Sequence, residues 1–194
     1  AQAKAYSRAG DVMAIHFDKR ASAKEYAKLV GALGDDPNVA FAKRVACGWG
    51  EYSLVQASFN LLDAARAAFE DVTHYYLVSG DCYPIKSASF IRSQLAPADR
   101  DFIEINDFME SDWIKTGIKE ERLIYRHLVN ERKHKKLFYN LMKAQRKLGL
   151  ERSLPKDLTI KIGSQWWLLR AETVEAMYAF LKKRQDVLRF FSTT

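Results

Sequence analysis

The chain has 194 residues, 48% hydrophobic and 28% charged, ordinary values for one globular domain with its own core. No apolar run reaches the roughly 18 residues a bilayer-spanning helix needs. Two cysteines, Cys47 and Cys82, are too few for a disulfide framework; they could make one bridge, but two free thiols in a reducing compartment are the expectation.

The opening "AQAKAYSRAG" lacks the apolar segment of a signal peptide. The net charge of +7, with pI near 9.3, favours an anionic partner: a nucleotide, an anionic membrane or nucleic acid. Much of the excess is local, in "ERKHKKLFYNLMKAQRK".

In chain order, "DVMAIHFDKR" reads as a short buried strand, Val12 to Phe17, ending in Asp18. "ASAKEYAKLVGAL" opens with Ser22 and Glu25 at capping-box spacing. Its Tyr26, Leu29, Val30 and Leu33 recur at i, i+3, i+4, i+7, one face of a helix. "GDDPN" breaks the chain and "NVAFAKRV" is a second strand. After "CGWGEY", Ser53 and Gln56 repeat the capping-box spacing, and Val55, Phe59, Leu62 and Phe69 mark a buried helix face.

"HYYLVSGDCYPIKS" is a third strand, Tyr75 to Val78, running into a Gly-Asp loop stopped by Pro84. Ser87 starts a short helix to Leu95, and "DFIEI" is a fourth strand. Beyond Asp107 the pattern is less regular. "DWIKTGIKEERLIYRHLVNERKHKK" is polar, aromatic and charged, with a weak helical signal toward Lys143. "LTIKI" is a short strand. "AETVEAMYAFLKKR" is a helix with Val174, Met177, Tyr178 and Leu181 on one face.

Strands alternating with helices predict an α/β domain with a mainly parallel sheet. Such sheets hold ligands beyond the carboxyl ends of their strands. His16 and Asp18, then Gly80, Asp81 and Tyr83, stand at those ends. The Asp18 carboxylate can accept from a ribose or a uracil imide; the competing reading is a pair with Lys19 or Arg20. Gly80 allows close backbone approach and Asp81 can bind a sugar hydroxyl, against a plain Gly-Asp turn. No Asp-x-Asp pair supports a divalent metal, and His127 and His134 lack a zinc ligand set.

In "KEERLIYRHLVNERKHKK", the cations of residues 131–136 read as a solvated face. Arg122 and Arg126 interleave with Tyr125, and arginine suits phosphates. "GSQWW" is the most informative stretch. An indole stacks on the apolar side of a pyranose ring, and Gln165 can bond hydroxyls. Adjacent strand residues point to opposite faces, so one of Trp166 and Trp167 is expected in the core and the other, with Gln165, in a cleft.

"IHFDKRAS", "WGEYSLVQASFNLL", "YYLVSGDCYPIKS" and "GSQWWLLRAETVEAM", in this order, resemble the core-2/I-branching β-1,6-N-acetylglucosaminyltransferase family, which also includes xylosyltransferases. The resemblance covers nearly the whole chain and is nearer to bacterial members than to Golgi enzymes. It implies a GT-A-like (Rossmann-like) α/β fold and a single glycosyltransferase domain. Residues 1–106 form its nucleotide-sugar half and 107–194 its acceptor half. It also implies inverting, metal-independent transfer from a UDP-sugar, with no cofactor, in a bacterial cytoplasm, with peripheral membrane contact allowed.

The donor residues implied are His16, Asp18, Ser79, Gly80 and Asp81. The acceptor residues are Tyr83, Glu121, Arg122, Arg126, Gln165, Trp166 and Trp167. Family members begin with a further strand and continue into a Pro-Asp-Glu segment whose Glu is the general base. The chain is therefore expected to be an incomplete domain, inactive alone, with no catalytic residue of its own assigned.

Two other classes compete. A carbohydrate-binding module would keep the fold without the chemistry. A basic nucleic-acid-binding domain is the weaker rival, since its cations cluster without a recognition motif. The donor, N-acetylglucosamine or xylose, stays open.

Overall fold

The structure, a computed structural model, describes residues 2–111 and 120–192. Residues 112–119, which open the charged aromatic stretch, lie outside the described residues. The chain divides into two compact units. One is Ala1–Cys47, Ser53–Phe102 and Trp166–Ala171; the other is Gly48–Tyr52, Ile103–Gln165 and Glu172–Thr194.

The first unit opens with α1 (Gln2–Arg8), which packs on β1 (Met13–Ile15). Helix α2 (Ala23–Leu33) starts where expected: the Ser22 hydroxyl accepts from the Glu25 amide at 3.2 Å. Leu33 is buried and Tyr26, Leu29 and Val30 are half-buried, the face that the periodicity marks. β2 (Val39–Phe41) then pairs parallel with β1, Met13 opposite Val39.

Helix α3 (Tyr52–Ala68) corrects two readings. Ser53 is inside its first turn and so is not the cap. Val55 is 47% exposed; Ala57, Asn60, Leu62 and Ala65 are the buried positions. Asn60 is tolerated there because its side-chain amide donates to the Lys43 carbonyl at 2.8 Å, satisfying a buried polar group. β3 (His74–Tyr76) follows, then α4 (Ala88–Leu95), whose Ser87 cap accepts from the Phe90 amide.

β4 (Phe102–Ile103) and β7 (Trp167–Arg170) complete a sheet in the order β3-β7-β4. β7 goes beyond the sequence reading, which takes the two tryptophans as strand residues but places no strand on "LLR". Its buried Leu168 and Leu169 form an apolar run too short to tell from a helix start by periodicity.

The α/β class holds, with its parallel ladder in β1 and β2. β1 and β2 form a sheet of their own, and in the separate three-stranded sheet the β3–β7 ladder is antiparallel, Tyr75 opposite Leu169, so the described ladders are of both kinds rather than mainly parallel: β7 arrives from the distant half of the chain and runs back along β3.

In the second unit, β5 (Asn106–Asp107) pairs antiparallel with β6 (Lys161–Ile162). α5 (Glu121–Ile124) and α6 (Lys135–Leu148) enclose a small core of Tyr125, Phe138 and Met142, lined by Ile124, Val129 and Tyr139. α7 (Ala171–Lys183) buries Val174 completely, with Met177, Tyr178 and Leu181 half-buried as the spacing predicts. α8 (Gln185–Phe191) ends the described chain.

Candidate active site

The loop after β1 is held by a residue that the sequence reading passed over. Arg44 lies just past β2. Its guanidinium donates to the carbonyls of Phe17 (3.0 Å), Asp18 (2.9 Å) and Ala21 (3.1 Å). The same group covers the Tyr26 ring at 4.3 Å, and Tyr26 meets Phe17 and Phe41 at 5.7 and 6.2 Å. One planar donor fork thus ties a strand end, a turn and an aromatic cluster together. The only sequence signal is a lone arginine after an apolar strand.

His16 contributes to the same scaffold. Its Nε2 accepts the Val45 amide at 2.9 Å, which requires the neutral ring with the proton on Nδ1. Burial lowers its pKa; Asp18 opposes that shift and Arg44 adds to it. Asp18 takes the pairing reading: Arg20 donates through its amide at 2.8 Å and its guanidinium at 2.9 Å. Those bonds hold the carboxyl at about 2, so Asp18 is an ionised acceptor at any ordinary pH.

The loop after β3 is a turn built on a thiol. The Cys82 amide donates to the Ser79 carbonyl, the Ser79 amide donates to the Cys82 sulfur at 3.4 Å, and the Asp81 amide donates to the Ser79 hydroxyl at 3.3 Å. Both cysteines are unbridged, as expected. Gln2 of α1 donates to the Cys82 carbonyl. Gly80, Asp81 and Tyr83 are exposed, Tyr83 at 73%. A Cβ at Gly80 would meet nothing within 4 Å, so the protein itself does not require glycine there.

The β3–β7 ladder joins two motifs far apart in sequence. The Leu77 amide donates to the Trp167 carbonyl at 3.0 Å, so the tryptophan end of β7 lies alongside the chain that leads into the Ser79 turn. Trp167 is half-buried and Trp166 is 42% exposed. The other end of β7 is anchored by Arg170, whose amide donates to Asp101 at 2.8 Å and whose guanidinium pairs with Asp99.

The remaining candidates belong to the second unit. Glu121 pairs with Arg146 at 3.6 Å. The Arg122 carbonyl accepts from Arg152 at 2.8 Å. The Arg126 backbone is clamped in both directions by the Gln145 amide at 2.9 Å, and its side chain is exposed.

Tyr125, which suggested a binding face between the arginines, is instead a core residue: the interleaving aromatic marks packing. His127 stacks on Phe138 at 4.9 Å, and burial lowers its pKa. Gln165 is exposed.

Residues 132–136 are all exposed, as a solvated face would be, and two of their cations also make local contacts. Lys133 pairs with Glu51 at 3.1 Å, and the Arg132 guanidinium lies 3.3 Å from the centre of the Trp49 ring.

Among the described residues no three His, Cys, Asp or Glu side chains converge as a metal site, and no helix is long and apolar enough to cross a membrane. No curated protein matches the chain. The family model described as Core-2/I-Branching enzyme matches residues 3–190, nearly the full length and across both units. The chain belongs to the core-2/I-branching enzyme family, a family of glycosyltransferases that act on sugar donors and acceptors.

Proposed function

We propose that the chain serves the transfer of N-acetylglucosamine from a UDP-sugar to a hydroxyl of a glycan acceptor, with inversion and without a metal ion, in bacterial polysaccharide synthesis, by binding the donor and the acceptor. The observation that carries this reading is the β3–β7 register. It sets an exposed indole, Trp166, beside a turn at the carboxyl end of a strand, the usual ligand position in α/β sheets.

His16 and Asp18 serve the uridine. The Asp18 carboxylate, ionised and held by Arg20, is the acceptor assigned to the imide N–H. The Ser79 hydroxyl, the Gly80 backbone and the Asp81 carboxylate serve the donor sugar. Tyr83 and Trp166 serve the acceptor, while Trp167, half-buried in β7, holds the strand. Inverting displacement needs a base to take the acceptor proton; no residue of the chain is assigned that role.

Calorimetry with UDP, UDP-N-acetylglucosamine and UDP-xylose, each with and without a chelator, tests the reading. Chelator-insensitive UDP binding that weakens in Asp18→Asn is expected. Binding of free oligosaccharide without any UDP affinity would sink it and leave a carbohydrate-binding module.

A further inference from the structure

We propose that helix α6 is a membrane-surface element that binds a bilayer containing anionic lipid. The helix has 14 residues, about 21 Å at 1.5 Å per residue. Its sequence KKLFYNLMKAQRKL carries Lys135, Lys136, Lys143, Arg146 and Lys147 and no carboxylate. Phe138 and Met142 bury one side of it against Tyr125.

The exposed side is organised in two parallel stripes. Lys136, Asn140, Lys143 and Lys147 recur at i, i+4, i+7 and i+11, and all four are exposed. Leu137, Leu141, Ala144 and Leu148 repeat the same spacing one residue on. Leu137 is 49% and Leu148 69% exposed; Leu141 is half-buried and Ala144 exposed. Leu150, itself exposed, continues the apolar stripe past the helix end, where its amide caps the Gln145 carbonyl.

Scattered leucines on a surface need no explanation. Here they line up beside a cationic stripe in which, among the described residues, Lys136, Lys143 and Lys147 make no ion pair. That arrangement suits a helix lying in the headgroup plane: the leucines enter the acyl boundary while the lysine stems run up to the lipid phosphates. Charge complementarity selects anionic lipid, each lysine near such a surface being worth roughly fivefold in partitioning. A nucleic acid would use the lysines but not the leucines, and the two exposed stripes carry no aromatic ring for base stacking.

Co-sedimentation of the full chain with phosphatidylcholine vesicles, and with mixed phosphatidylcholine–phosphatidylglycerol vesicles, tests this. Binding to the mixed vesicles alone, reversed by salt, is expected. The combined Lys136→Gln, Lys143→Gln and Lys147→Gln variant should partition on the order of 100-fold less. The Leu137→Ser, Leu148→Ser variant, whose charge is unchanged, should also lose most binding. Circular dichroism of both variants should match the parent, because the altered side chains are exposed.

The proposal is overturned if the parent chain ignores the mixed vesicles. It is equally overturned if the leucine variant binds them as the parent does, or if a single-stranded oligonucleotide is bound in their place.

Discussion

The backbone amide of Leu77 donates to the carbonyl of Trp167 at 3.0 Å. That bond, the next rung of the ladder that pairs Tyr76 with Leu168, decides which tryptophan is structural. Trp167 is in the strand and half-buried, while Trp166 precedes it and is exposed. Trp167→Ala should cost about 2 kcal/mol in urea unfolding, less than the roughly 3–5 kcal/mol of a fully buried ring. Trp166→Ala should leave the unfolding midpoint nearly unchanged and weaken acceptor binding. Equal destabilisation by both would remove Trp166 from the proposed sugar platform.

Arg44 is the keystone of the loop that carries Asp18. Arg44→Ala removes donors from three carbonyls, and each bond from a charged donor is worth about 1.5–3 kcal/mol. With partial replacement by water, a loss of about 3 kcal/mol is expected. Arg44→Lys should recover little of it, because an ammonium cannot span three acceptors as a planar fork does. UDP affinity should fall in both variants if Asp18 contacts the nucleotide. A lysine variant with parental stability would show that charge alone, not the fork, holds the loop.

Gly163, which opens the "GSQWW" motif, is constrained by the backbone. A Cβ there would collide with the carbonyl group of Glu104, beside the short β5–β6 ladder, where the Glu104 carboxylate also accepts the Ser164 amide at 3.1 Å. Gly163→Ala must move main chain, not a side-chain tip, and should cost about 2 kcal/mol or more in unfolding, as overpacking does. Gly80→Ala, with open space around it, should be nearly neutral for stability. A reversed order of the two would overturn this assignment.

The pH dependence follows from His16. Its folded pKa lies below the ordinary 6.5 because burial disfavours the charged ring. An unfolded chain therefore takes up a proton that the folded one resists, and stability present above pH 6.5 is lost as pH falls through that value. His127, lowered for the same reason, adds to the slope.

Asp18 acts in a separate window: depressed from 3.8 to about 2, it contributes above its ordinary value and loses that contribution as pH falls toward 2. Its pair with Arg20 is half-open to solvent, which limits it to under about 1 kcal/mol. Thermal midpoints between pH 7 and 5 should fall less steeply in His16→Asn than in the parent. An unchanged slope would show that His16 does not titrate with folding.

Local chemistry was legible in the sequence. Ser22 and Ser87 cap helices because a hydroxyl next to a helical run satisfies amides that have no other partner. The apolar face of α7 follows directly from its spacing, down to the fully buried Val174. The four motifs that suggested the branching-enzyme family lie within the matched residues 3–190. Tertiary packing decided the rest. The apolar "WLLR" becomes a strand because β3 offers it an edge, and no periodicity within four residues can announce a partner some ninety positions away. Val55 turns outward and Asn60 inward because the Lys43 carbonyl awaits an amide. Tyr125 belongs to a core and Arg44 to a loop scaffold because burial and hydrogen-bond satisfaction depend on groups that only the folded chain brings within reach.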